Sequence, residues 1–140
     1  MKKVAVVYFS QTGNTEEMAS AIKDSLEEKA EVSLIPCDNF REGDCASYDA
    51  FAFGCPAMGN EVLEEDSFEP MFTSVEGALK GKDVVLFGSY GWGDGEWMRE
   101  WKERCESDGI NVKAEPVICL EAPDDSVKEE LKAMAEALIA

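Results

Sequence analysis

Three apolar runs, Val4-Phe9, Ala50-Gly54 and Val84-Gly88, show almost no polar alternation, and this constrains the fold more than any other feature. A strand with one wet face alternates apolar and polar residues, so runs of this kind belong to strands buried on both faces. Two further runs of strand length, Val32-Ile35 and Val112-Leu120, bring the count to five. Helical patterns separate them. Met18, Ile22 and Leu26 repeat every four residues within Glu16-Glu28, and Glu96-Asp108 and Ser126-Ala140 read the same way. Phe68-Leu79 predicts another helix, with Pro70 at an early position, whereas Arg41-Tyr48 is too short and polar to assign. The pattern implies an α/β fold, a doubly wound five-stranded parallel sheet with right-handed crossovers and helices on both faces, in which residues 1–140 form one domain.

In such a sheet a ligand lies beyond the carboxyl ends of the strands, where strand order reverses, so the loops after the first, third and fourth strands matter most. The first reads Ser10-Gln11-Thr12-Gly13-Asn14-Thr15. Hydroxyl and amide side chains surround one Gly at a strand-to-helix junction, where backbone N–H groups converge and suit a small anion. A Walker loop would need a Lys, and a dinucleotide loop would need three spaced Gly residues; the segment has neither, which disfavours ATP and NAD. Helix capping by Thr12 or Asn14 is expected here too, yet the loop carries more such side chains than one helix start requires.

The other two loops, Gly54-Cys55-Pro56-Ala57-Met58-Gly59-Asn60-Glu61 and Gly88-Ser89-Tyr90-Gly91-Trp92-Gly93-Asp94-Gly95, place large side chains among Gly residues that let backbone pass close to a ligand. Trp92 is poorly placed for a core, and a planar aromatic ligand between it and the flexible thioether of Met58 accounts for both. Trp97 and Trp101 lie four apart in a helical pattern and are read as core.

Charge narrows the partners. Thirty acidic residues against 13 basic ones give a formal net charge of -17, a surface that repels nucleic acid and anionic membranes and steers a basic partner. Five cysteines without Cys-x-x-Cys spacing, and no histidine, argue for reduced, buried thiols rather than zinc. The Met1-Lys2-Lys3 start leads into only a short strand-like run without a cleavage pattern, so the expected location is the cytoplasm.

These three loops, in this order along the chain, resemble those of short-chain flavodoxins of the clostridial type, and the resemblance covers all 140 residues. The region from Asn111 to Pro123 lacks the long insertion of long-chain members. The resemblance implies strand order 2-1-3-4-5, for which flavodoxins are themselves an example of ligand binding at the strand switch. It also implies non-covalently bound FMN, with the phosphate held by the hydroxyls of Ser10, Thr12 and Thr15 and by amides from Gln11 through Gly13 and Asn14 to Thr15. Pro56, Ala57, Met58, Gly59, Asn60 and Glu61 are implied beside the ring, Met58 on one face and Glu61 at the pyrimidine edge. Ser89, Tyr90, Gly91, Trp92, Gly93 and Asp94 are implied as the aromatic loop, with Trp92 stacked on the other face.

The implied function is electron transfer rather than catalysis: a low-potential one-electron carrier between redox enzymes, working on the semiquinone/hydroquinone couple as a monomer with basic docking partners. The Gly59-Asn60 peptide is expected to rotate on reduction and offer its carbonyl to the ring, and Asn60 stands where relatives commonly carry Asp. Two other readings share the fold. A flavin-dependent NAD(P)H oxidoreductase would need a second nucleotide site that 140 residues leave little room for, and a phospho-receiver domain would want an acceptor Asp where Cys55 stands.

Overall fold

The computed structural model describes residues 1–59 and 61–140. Strands β1 (Lys3–Tyr8), β2 (Glu31–Pro36), β3 (Ala50–Gly54) and β4 (Asp83–Tyr90) pair in parallel in the order β2-β1-β3-β4. The next position is filled by two short strands, β5 (Asn111–Val112) and β6 (Val117–Leu120), which pair with successive stretches of β4. Helices α1 (Asn14–Leu26), α2 (Phe68–Val75), α3 (Glu96–Ser107) and α4 (Asp125–Ile139) make the crossovers. This is the 2-1-3-4-5 doubly wound sheet expected from the sequence.

Strand alternation explains the unbroken apolar runs. Val4, Val6, Ala50, Ala52, Val85 and Phe87 face Met18, Ile22 and Leu26 of α1 and Leu131, Met134 and Leu138 of α4. Their neighbours Ala5, Val7, Phe51, Phe53, Val84 and Leu86 face the opposite layer, where α2 and α3 supply Phe68, Phe72, Trp97 and Trp101. Both faces are dry, so neither set of positions tolerates polar residues. Trp97 and Trp101 are core residues, as their spacing suggested.

The expected continuous fifth strand is interrupted. Val84 pairs with Val112 and Phe87 with Val117, so four residues on the outer strand span what two span on β4. Pro116 has no N–H to give the ladder, and the extra residues leave it before pairing resumes. The helix expected over Phe68-Leu79 runs as α2 and tightens into a 3-10 turn at Glu76–Leu79, and Glu42–Ser47 forms a 3-10 segment. Ser67 precedes α2 but does not cap it. The buried Glu64 carboxylate does, accepting from the amides of Asp66, Ser67 and Phe68 at 2.9, 2.8 and 2.7 Å. Among the described residues no helix is long and apolar enough to cross a membrane.

Candidate functional site

β1, β3, β4 and β6 all end at the same edge of the sheet, and a groove of about 440 Å³ opens there. Gln11, Thr12, Asn14 and Thr15 form one end; Pro56, Ala57 and Met58 form one wall; Ser89, Tyr90 and Gly91 form the other.

The loop after β1 is shaped by Gly13, which sits at the N-cap of α1 with φ 95°, a left-handed conformation that costs glycine little. No side chain at Thr12 or Asn14 caps the helix, and α1 begins at Asn14, two residues earlier than its periodicity suggested. The left-handed turn brings Ser10 under the first turn instead, where its Oγ accepts from the amides of Gly13 and Glu16, both at 3.1 Å. The amides of Thr12, Asn14 and Thr15 find no acceptor among the described residues.

The hydroxyls of this loop are committed in a way that matters for the ligand. Ser10 Oγ already accepts two N–H groups, so both its lone pairs are used and its proton remains to be donated. Thr15 Oγ1 lies 2.8 Å from Ser89 Oγ and accepts from the Ser89 amide at 3.4 Å, in the protein interior. When Ser89 donates its hydroxyl proton, Thr15 is left in the same state as Ser10. The start of α1 at this end of the groove therefore carries free amides, hydroxyl protons and the positive end of a helix; the lining holds no Lys or Arg, and of the loop residues expected at the phosphate Ser10 and Gly13 are not part of it.

At the other end, Met58 and Val62 exchange two backbone hydrogen bonds of 2.9 and 3.1 Å, closing a short turn that leaves Met58 in the groove. Gly59 and Glu61 both have positive φ, 41° and 54°. Asn60, and with it the peptide rotation expected at Gly59-Asn60, lies outside the described residues. Trp97, from α3, donates its indole N–H to the carbonyl of Cys55 at 3.2 Å and packs on Tyr90, which steadies both walls from below.

Five of the described residues expected around the ring, Gly59, Glu61, Trp92, Gly93 and Asp94, stand apart from the groove lining. Trp92 is 62% exposed, Asp94 pairs with Arg99 at 3.1 Å, and Gly93 abuts the Glu61 side chain. Glu61 accepts through Oε1 from the amides of Gly95 and Glu96, each at 3.1 Å. Conversely, Glu121 and Ala122, from the loop after β6, line the groove and were not singled out from the sequence. Glu121 is tied in by its amide to the Tyr90 carbonyl at 2.8 Å and has φ 61°. Its signal was only the end of a fifth strand beside the fourth.

Residues 6–137 match the family model described as Flavodoxin. The chain belongs to the flavodoxin family. The flavodoxin of Megasphaera elsdenii is 45% identical over 135 residues, 96% of each chain, and that of Clostridium beijerinckii is 42% identical over 125 residues, covering 89% of this chain and 91% of the relative. The solution structure of two-electron reduced Megasphaera elsdenii flavodoxin superposes with a TM-score of 0.86 over 95% of this chain and 98% of that one, at 46% identity. Oxidised flavodoxin 2 from Bacillus cereus gives a TM-score of 0.86 at 27% identity, covering 98% and 97%. As a short-chain flavodoxin the protein is an FMN-binding electron carrier, not an enzyme.

The residues present fit FMN. The groove volume lies within the range of pockets that enclose small organic ligands. A phosphate at the α1 end would meet donors that lack acceptors, and a planar ring would lie beside Met58 and Tyr90. The thiols are not part of this chemistry. Burial pushes the buried Cys55 thiol well above its ordinary range and raises Cys37 to about 12, so neither is a thiolate near neutral pH.

Proposed function

We propose that this flavodoxin is a low-potential one-electron carrier in which Ser10, Thr12, Thr15 and the amides of the α1 start hold the FMN phosphate, while the Pro56-Glu61 and Ser89-Asp94 loops flank the ring. The observation that carries the reading is the cation-free end of the groove at the start of α1, where amides lack acceptors among the described residues. Such an end prefers a dianion to a neutral group, because each charge-assisted hydrogen bond contributes about 1.5–3 kcal/mol. FMN, when bound, supplies the one-electron chemistry. The chain binds it, orients the ring by its phosphate and excludes water from the face beside Met58.

Three of the four exposed large apolar residues among those described lie toward this same edge, Val62 and Trp92 in loops and Leu120 at the end of β6, with Glu61, Asp94, Glu96 and Glu121 near them in sequence. An apolar patch framed by carboxylates suits a redox enzyme with a basic rim, at a rate that falls with salt. Residues 1–140 act as one domain, a reading supported by two cores that share one sheet, and as a monomer. Five unpaired, buried thiols support the cytoplasm as the compartment.

Potentiometric titration of the FMN-loaded chain, followed by absorbance, tests this reading. Two separate one-electron steps are expected, the second well below that of free FMN. A single two-electron wave at the potential of free FMN would overturn it, and NADH oxidation by the purified chain alone would favour the oxidoreductase reading instead.

A further inference from the structure

We propose that Glu61 and Gly93 form a clasp that fixes the Trp92 loop to the Met58–Val62 turn. The Glu61 carboxylate caps α3 from another part of the chain, and residue 93 is glycine so that this carboxylate has room. The functional meaning rests on the reading of these two loops as walls around FMN; the clasp itself does not.

The start of α3 is where the Trp92 loop must be held. Gly95 occupies the N-cap with φ 93° and has no side chain, so the first amides of α3 lack a local acceptor. Glu61 Oε1 arrives from the turn after β3 and accepts from the amides of Gly95 and Glu96, each at 3.1 Å. A carboxylate at a helix N-terminus is also favoured by the helix dipole. Asp94, the nearer acid, is turned away, with its Oδ1 on Arg99 Nη2 at 3.1 Å and its carbonyl on Arg99 Nη1 at 3.0 Å.

Gly93 is the second, independent sign. Its φ of 89° would suit glycine in any loop, but a Cβ there would also lie 2.5 Å from the Glu61 carboxyl carbon and 2.6 Å from Oε1, the same oxygen that caps α3. A side chain at 93 would therefore push the carboxylate of residue 61 off its present position. Gly93, expected from the family pattern to touch the cofactor, touches Glu61. The consequence is that the two loops move as one body, and Glu61 is a positioning residue for Trp92.

Amide hydrogen exchange in the full-length chain without flavin, resolved by residue, tests the clasp. Glu61→Ala is expected to speed exchange at Gly95 and Glu96 by about tenfold or more, with amides in β1 and β3 unchanged. Glu61→Gln keeps an oxygen acceptor and is expected to stay within about threefold of wild type. Gly93→Ala should resemble Glu61→Ala, and the double variant should be no faster than either alone, because both remove the same contact. Equal acceleration in Glu61→Gln and Glu61→Ala would assign the effect to charge alone and overturn the clasp. So would multiplicative effects in the double variant, or acceleration spread evenly over the sheet. Failure of the wild-type chain to bind FMN would sink the cofactor reading and leave this result intact.

Discussion

Ser10→Ala separates the phosphate from the rest of the cofactor. In the free protein, Ser10 Oγ accepts from Gly13 and Glu16 at 3.1 Å, so its loss leaves two amides at the start of α1 to water. Removal of a capping side chain of this kind costs about 1 kcal/mol of stability, which lowers the melting temperature by a few degrees in a chain this size. The larger effect concerns the ligand. With both lone pairs of Ser10 already used, the hydroxyl serves a phosphate only as a donor, and that charge-assisted bond is worth about 1.5–3 kcal/mol.

At 1.4 kcal/mol per decade, the expected loss of FMN affinity is about 10- to 150-fold. Riboflavin carries the same ring and polyol without the phosphate, so its affinity should fall by less than about threefold. Quenching of flavin fluorescence on titration with the flavin-free chain reads both. Equal losses for FMN and riboflavin would refute the reasoning, since the hydroxyl would then act through the shape of the groove and not through the phosphate. Unchanged affinity for both would refute it equally.

Other perturbations test the frame around the site. Gly88→Ala places a Cβ 2.2 Å from the Cys55 carbonyl oxygen, the acceptor for Trp97, so a loss of about 3 kcal/mol is expected in urea unfolding. A shift below 1 kcal/mol would show that β3 and β4 part more easily than the contact allows. Arg104→Met removes the guanidinium that holds the Glu76 carboxyl below its ordinary 4.5 and also grips Glu69 through paired 2.8 Å bonds. A lowered folded value contributes stability that is present above pH 4.5 and disappears as pH falls through that lower value. The variant should therefore be less stable by about 1–2 kcal/mol at pH 7, the partners being only partly screened, and the difference should shrink as pH falls below 4.5 through the lowered value. A loss that did not vary with pH would point to packing of Arg104 over Phe72, 5.0 Å from its ring centre, as the whole contribution.

The parts of this molecule that were legible in the sequence are those set by local rules. Buried strands showed as apolar runs because alternate residues of each strand meet a helix layer, and the three loops showed because Gly and polar residues break both periodicities. What stayed hidden is non-local. The cap of α1 comes from Ser10 rather than Thr12 or Asn14, because the left-handed Gly13 reverses the chain before the helix begins. Glu61 and Glu64 belong to the acidic stretch Glu61-Glu69, whose composition reads as a solvated loop and helix start, yet Glu64 is only 6% exposed and each caps a different helix. Nothing in Val112-Leu120 except Pro116 hints that the outer strand breaks, and the break is what precedes the Glu121 wall.

The absence of a cation in the groove follows from comparing two distances. A carboxylate about 10 Å from a bound phosphate opposes it by only ~0.4 kcal/mol in a watery dielectric, before screening. Several such charges, on a chain of formal charge -17, together amount to about 1–2 kcal/mol. One hydrogen bond donated by Ser10 to the phosphate, as proposed, would offset that, and the amides of Thr12, Asn14 and Thr15, which have no acceptor among the described residues, would add to it. On the proposed reading, local donors outweigh the acidic surface at the phosphate. The ring end gains no equivalent donors from charged residues, so the same acids that the phosphate end overcomes are left to oppose any added electron there. A Lys in the Ser10-Thr15 loop would tighten binding but would also place a full positive charge on the ligand's side of that balance, and fixed dipoles of amides do not carry their effect as far.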